Sequence, residues 1–270
     1  MVRLDERPTK IWIETDQHYP VHDREMEAAK VALFRDLNPD LWLGLGDLYD
    51  SYGPSTFPKE LDRIFAHGYT LAEEIESARP YLAEVCRIVK RADLLDGNHE
   101  RRTEKIIDAN PWMAGLLDWA MLSKLPPRAC RHRWGTRLMY QWRGCDEPLP
   151  LRAEHGDAIS PGARYKAAWL MDRCGPLNAV FGHWHAEESC QRTRHEWDGE
   201  RRYGTWSIGH SSDPARQGYL RGKDCTWQQG IAIVEVWEAA GRPRFTLTQV
   251  PYIDHRLCYG GRVYDGRRCQ

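Results

Sequence analysis

Five times in this chain a short apolar run leads directly into side chains that bind metal ions. The clearest case is Leu94-Leu95-Asp96-Gly97-Asn98-His99-Glu100, where a glycine turn presents an amide beside an imidazole. The others are Ile11-Trp12-Ile13-Glu14-Thr15-Asp16-Gln17-His18, Leu41-Trp42-Leu43-Gly44-Leu45-Gly46-Asp47-Leu48-Tyr49-Asp50, Leu151-Arg152-Ala153-Glu154-His155-Gly156-Asp157 and Ala179-Val180-Phe181-Gly182-His183-Trp184-His185. In open α/β sheets ligands gather outside the carboxyl ends of the strands. Five loops of this kind can therefore converge on one site, and a fold that permits this must place the strand ends together.

The local patterns agree with such a fold. Residues 11–15 read as a strand, 24–37 as a helix that Asn38-Pro39 stops, and 41–45 as a second strand. This is a βαβ unit, which predicts parallel strands with a right-handed crossover. Residues 59–90 are mostly helical in pattern, with Pro80 expected to break or kink the run. Residues 101–124 are helical again, with Ile106, Ile107 and Trp112 in the apolar set, and Pro126-Pro127 ends them. A helix over 163–174, a strand over 178–181, a hairpin turning at Asp198-Gly199 and closing strands at 205–208, 230–236 and 245–250 complete the pattern. From His255 onward the glycine, arginine and tyrosine content suggests a loosely held tail, 255–270.

Composition narrows the partners. The 270 residues carry a formal net charge of −1, so no global field draws the chain to a polyanion or a membrane. No apolar run approaches the ~20 residues of a membrane span, and Met1-Val2-Arg3-Leu4-Asp5-Glu6-Arg7 has no apolar signal region. Eight cysteines are scattered without a Cys-x-x-Cys pair, which predicts mostly buried, reduced thiols and a cytoplasmic location.

The candidate ligands are Asp16, His18, Asp47, Asn98, His155, His183 and His185. Oxygen and nitrogen donors without thiolate suit Mn²⁺, Fe, Zn²⁺ or Ni²⁺ better than copper or an iron–sulfur cluster. Seven donors are too many for one ion and enough for two if Asp47 bridges. Two cations ~3.5–4 Å apart clamp a phosphate and lower the pKa of a water between them, which then attacks in line. His22, His67, His132, His195, His210 and His255 read instead as surface or capping residues, and Glu100 and Asp157 as residues that cap or orient their neighbours.

Together, Asp16-Gln17-His18, Gly46-Asp47-Leu48-Tyr49-Asp50, Gly97-Asn98-His99-Glu100, His155-Gly156 and Gly182-His183-Trp184-His185 resemble the signature blocks of the calcineurin-like metallophosphoesterases. The resemblance implies an αββα sandwich, two mixed β-sheets face to face with helices outside, over residues 1–254. By position it implies that Asp16, His18 and His185 hold one divalent metal ion, that Asn98, His155 and His183 hold the other, and that Asp47 bridges. His99 then acts as the acid beside the phosphate, and Asp50 orients it. Mn²⁺ is the first expectation for the metals. The arginine that follows the second aspartate of block two in the protein phosphatases of this superfamily is Ser51 here, which argues against a phosphoprotein substrate. The turn Trp227-Gln228-Gln229-Gly230 and the run Glu100-Arg101-Arg102 resemble small phage and bacterial members.

Arg101 and Arg102 are candidates for binding substrate phosphate, and the insertion 101–150 is expected to form a cap over the metals. Arg128, Arg131, Arg133, Arg137 and Arg143, interleaved with Trp134, Tyr140 and Trp142, make a basic aromatic run, and Arg192, Arg194, Arg201 and Arg202 a second basic set. Such surfaces suit single-stranded nucleic acid. The expected function is a two-metal phosphodiesterase acting on a nucleic acid or nucleotide. The alternatives are a phosphomonoesterase on a small molecule or phosphorylated terminus and, behind both, a non-catalytic binding scaffold.

Overall fold

Trp12 faces one way from its strand and its neighbours Ile11 and Ile13 face the other, and this alternation divides the molecule into layers. The structure is a computed structural model and describes all residues except 56–67, 114–124, 176, 197–198, 218–219, 221–224 and 269–270. Strands β1 (Val2–Leu4) and β2 (Lys10–Glu14) precede helix α1 (Arg24–Leu37) and strand β3 (Leu41–Gly44). Helix α2 (Leu71–Ile88), β4 (Arg91–Leu95), α3 (Glu100–Ala109), β5 (Ala129–His132), β6 (Tyr140–Trp142) and β7 (Arg152–Glu154) follow. Helix α4 (Lys166–Cys174) leads to β8 (Ala179–Phe181), the pair β9 (Glu188–Glu196) and β10 (Gly199–Ser207), and the pair β11 (Gly230–Ala239) and β12 (Arg242–Ile253). The chain closes with β13 (Arg256–Tyr259) and β14 (Arg262–Asp265).

Among the described residues one sheet has eight strands, ordered β14-β13-β12-β11-β2-β3-β4-β5, and a second has four, ordered β7-β8-β10-β9. Both are mixed: β2 to β5 run parallel with β11 antiparallel to β2, and β7, β8 and β10 run parallel with β9 antiparallel. Trp12, Trp42 and Leu94 pack on one side of the large sheet against Met26, Leu33 and Phe34 of α1 and Ile75, Leu82 and Val85 of α2. On its other side Ile11, Ile13, Leu41 and Leu43 meet Ala153, Val180 and Trp206 of the small sheet. Beyond that sheet, Ala179 and Phe181 pack on Ala167 and Leu170 of α4. The order helix, sheet, sheet, helix is the sandwich that the sequence predicts. Each fully buried large apolar side chain contributes about 1.5–3 kcal/mol to it.

Helix α1 begins at Asp23, whose carboxylate accepts the Met26 amide at 3.0 Å, and stops at Asn38 in the left-handed conformation. Helix α2 starts on a Thr70/Glu73 capping box and continues past Pro80, where the sequence predicts a break or kink. Pro80 is exposed, while Ala78, Tyr81 and Leu82 around it are buried, and that burial outweighs one missing backbone bond.

Residues 255–268 are not a loose tail. Strand β13 pairs with β12 and β14, Leu257 is buried in the helix-side core, and Arg262 and Tyr264 bond to Asp36 on α1 at 2.9 and 3.1 Å. Gly260 and Gly261, both at positive φ, supply the two-residue turn. The 101–150 segment is more than a cap, because β5 becomes the edge of the large sheet and Leu138, Tyr140, Trp142 and Cys145 enter the inter-sheet core. Its 114–124 portion, with half the predicted helix, lies outside the described residues. Of the six cysteines described as free thiols, only Cys86 and Cys145 are buried, fewer than predicted. No helix among the described residues is long and apolar enough to cross a membrane.

Candidate dinuclear metal centre

The candidate ligands sit just beyond the C-terminal ends of β2, β3, β4, β7 and β8. The backbone there is unusual: Asp16, His18, Asp47, Ser51, His183 and His185 all have φ between 45° and 71°. Left-handed non-glycine residues cost about 1 kcal/mol or more each, and they persist where surrounding structure enforces them. Sharp left-handed bends let one loop deliver two donors, at Asp16 and His18 and again at His183 and His185. Gly97 permits the loops to touch, since a Cβ there would lie 2.0 Å from Asp47 Oδ1.

Two sets of donors converge. Asp16 Oδ1 lies 3.3 Å from His185 Nε2 and 3.9 Å from His18 Nε2, and the two imidazole nitrogens are 3.4 Å apart. Asp47, His155 and His183 form the second set, with Asp47 Oδ2 3.4 Å and Asn98 Oδ1 3.0 Å from His155 Nε2. A third grouping of His18, Asp47 and His99 links them.

The outer hydrogen bonds aim the inner nitrogens. His18 Nδ1–H donates to Asp50 Oδ1 at 3.1 Å and His155 Nδ1–H donates to the Leu45 carbonyl at 2.9 Å, so each ring turns its Nε2 inward. Within the first set a carboxylate oxygen and two imidazole nitrogens crowd together, and Asp16 Oδ1 and His185 Nδ1 are both buried with no hydrogen-bond partner. Acceptors packed in this way repel one another unless a cation lies among them. The groups fit divalent metal ions of the kind that hard and borderline donors prefer.

Electrostatics follow the geometry. Burial pushes the carboxyls of Asp16, Asp47 and Asp50 up, but imidazoles hold all three lower: His185 acts on Asp16, His99 and His155 on Asp47, and His18 and His99 on Asp50. Burial lowers His155, yet the Asp47 carboxylate lifts it to about 10, whereas burial and then the charge of His155 press His183 down to about 4.

His99 stands beside the donors with its ring fixed at both ends. Its Nδ1–H donates to the Asp50 carbonyl at 2.6 Å, with Asp50 Oδ1 at 3.4 Å, and Nε2 accepts from Arg102 Nη2 at 2.9 Å. Arg102 also donates to the Asp50 carbonyl at 2.8 Å, so it is bound into the loop rather than solvated. Asp50 is thus shared by His18 and His99, a link the sequence does not reveal.

Glu100 and His210 complete the surroundings of the donors, the first as the sequence reads it and the second not. Buried Glu100 accepts amide protons from Asp47, Tyr49 and Gly97, at 3.0, 3.0 and 2.8 Å, tying two ligand loops together. This is the capping and orienting role read from sequence, now with its three partners named. His210, read from sequence as a surface residue, is fully buried and stacked on His185 with ring centroids 5.0 Å apart, and it bonds through Nδ1 to Ser212 Oγ at 2.8 Å.

The basic run is largely engaged. Arg131 pairs with Asp96 and Glu104, Arg137 with Glu154 and Arg143 with Asp5, and Arg128 donates to the Cys86 and Val89 carbonyls. On the hairpin, Arg192 pairs with Asp172 and Arg202 with Glu200.

No protein-family model matches the chain. The gene 54 protein of Mycobacterium phage D29 is 23% identical over 263 residues, covering 95% of this chain and 98% of that protein. Among solved structures, the phosphoesterase YfcE from E. coli is similar with 15% identity and a TM-score of 0.41, covering 89% of this chain and 98% of its own. A dimetal phosphatase from Danio rerio is similar with 10% identity and a TM-score of 0.42, covering 90% and 96%. The five ligand blocks lie at the strand ends of two mixed sheets, the arrangement that the sequence resemblance implies.

Proposed function

We propose that this chain is a dinuclear-metal phosphoesterase whose preferred substrate is a phosphodiester of the nucleic-acid or nucleotide type. The observation that carries the reading is the position of Asp47, which belongs both to the donor group with His155 and His183 and to the group with His18 and His99. Asp16, His18 and His185 would hold one ion, Asn98, His155 and His183 the other, with Asp47 between. When bound, the ions supply Lewis-acid charge to the phosphoryl oxygens and a water of lowered pKa.

The chain's own residues supply the rest. His99 is within reach of the reacting phosphate because its Nε2 lies 3.8 Å from Asp47 Oδ2. A proton held at that Nε2 can pass to the departing oxygen, and the Asp50 carboxylate 3.4 Å from Nδ1 stabilises the ring while it carries that proton. Once Nε2 is protonated it no longer accepts from Arg102, whose Nη2–H groups are then available to the phosphate.

A paired assay tests the reading, with bis(4-nitrophenyl) phosphate and 4-nitrophenyl phosphate offered to Mn²⁺-loaded and chelator-treated protein. Metal-dependent turnover with the diester ahead supports it. A monoester preference reassigns the substrate to a phosphorylated small molecule or terminus, and no metal-dependent turnover of either ester removes the enzymatic reading.

A further inference from the structure

Arg101 and Arg102 are neighbours in sequence, but only Arg102 is tied into the loop. Consecutive helical residues point about 100° apart. Arg102 turns to Asp50 and His99, and Arg101 turns instead to Trp134. There its guanidinium lies 3.7 Å over the ring of Trp134, and Trp134 Nε1–H donates to Asp157 Oδ2 at 2.6 Å. Among the described residues no acid or carbonyl accepts the side-chain N–H groups of Arg101.

Both ends of this stack rest on ligand loops. Arg101 stands two residues beyond His99 and its amide donates to the Gly97 carbonyl at 3.2 Å, and Asp157 stands two residues beyond His155. Those loops meet where Asn98 Oδ1 and His155 Nε2 are 3.0 Å apart. Stacking fixes the plane of the guanidinium while using none of its donors. An oxyanion arriving in that plane meets a preset fork, and little side-chain freedom is lost on binding.

We propose that Arg101, braced by Trp134 and Asp157, holds a second phosphate of the substrate, adjacent to the one at the metal donors. The chain then selects phosphodiesters that carry a neighbouring phosphate, as a polynucleotide does and an isolated diester does not. This rests on the phosphodiesterase reading and narrows it.

The test uses the full chain with a thymidine dinucleotide, unphosphorylated or carrying a 5′ or a 3′ phosphate. For wild type, kcat/KM should be about tenfold or more higher with one of the phosphorylated forms, the scale of a charge-assisted contact. In Arg101→Ala that ratio should fall to near one, Trp134→Ala should lower it in part, and Arg101→Lys should keep some of it. A ratio near one in wild type, or one that Arg101→Ala leaves unchanged, overturns the proposal. Calorimetric binding of the same dinucleotides in chelator separates the two claims. A phosphate preference in binding that depends on Arg101, in a chain that cleaves no diester, sinks the enzymatic reading and keeps this one. Cleavage of diesters without such a preference sinks this proposal alone.

Discussion

Glu100 Oε2 accepts the amide proton of Asp47 at 3.0 Å, fixing the loop that carries the central carboxylate from inside a buried pocket. The same carboxylate takes the amides of Tyr49 and Gly97, so one side chain holds the ends of β3 and β4 in register. Replacing it with alanine leaves three amides without that acceptor, at about 1–3 kcal/mol for each that stays dry. Glu100→Ala should lower the urea midpoint strongly and weaken Mn²⁺ binding, although Glu100 is not among the donors. Unchanged metal affinity would show that the loops hold their geometry without it.

Asp47 and His99 should separate metal binding from turnover. Asp47→Asn removes the charge between the two donor sets and should lose metal and activity together. His99→Ala should keep both metals in elemental analysis and lose about 100-fold or more in kcat, the scale of a lost general acid. If His99→Ala lost a metal instead, its grouping with His18 and Asp47 would mean ligation.

Beneath the site, Lys30 Nζ lies 2.7 Å from Glu14 Oε2, with both side chains almost fully buried. Trp42 Nε1 donates to the other oxygen at 2.5 Å, and the Tyr81 hydroxyl donates there too. Breaking a buried pair on one side costs about 3–5 kcal/mol. Lys30→Met should show that loss in urea unfolding, and adding Glu14→Gln should recover part of it. Full additivity of the two substitutions would contradict the pairing.

Glu74 gives stability a pH dependence. It is buried beneath Tyr52, whose amide it accepts at 3.2 Å, and burial followed by the Asp50 carboxylate raises its pKa from the usual 4.5 to about 8. Between those values the unfolded chain has released a proton that the folded chain keeps. Its contribution is fully present below pH 4.5 and is lost as pH rises toward 8, with a slope of about 1.4 kcal/mol per unit. Glu74→Gln should therefore gain on wild type in urea midpoint between pH 5 and pH 8. Parallel curves would refute this.

The sequence exposes what is local and misses what is made by distant contacts. The β2–α1–β3 unit is legible because the apolar period and the Asn38-Pro39 stop agree within one stretch. The donors are legible because each closes an apolar strand. The β13–β14 hairpin is not, since its hold comes from β12 and from Asp36, some 220 residues back in the chain, though Gly260-Gly261 is a turn signal. Glu100 is legible as a capping residue but not in which amides it takes, and His210 resembles an ordinary polar residue until the fold places it against His185.

The central claim is two metals per chain sharing Asp47, and counting them tests it most directly. Wild type incubated with Mn²⁺ and freed of excess ion should retain two per chain. His185→Ala and His183→Ala should each retain one, and Asp47→Asn should retain fewer than either. One ion or none in wild type, or loss of both ions from each histidine variant alike, would contradict the dinuclear account.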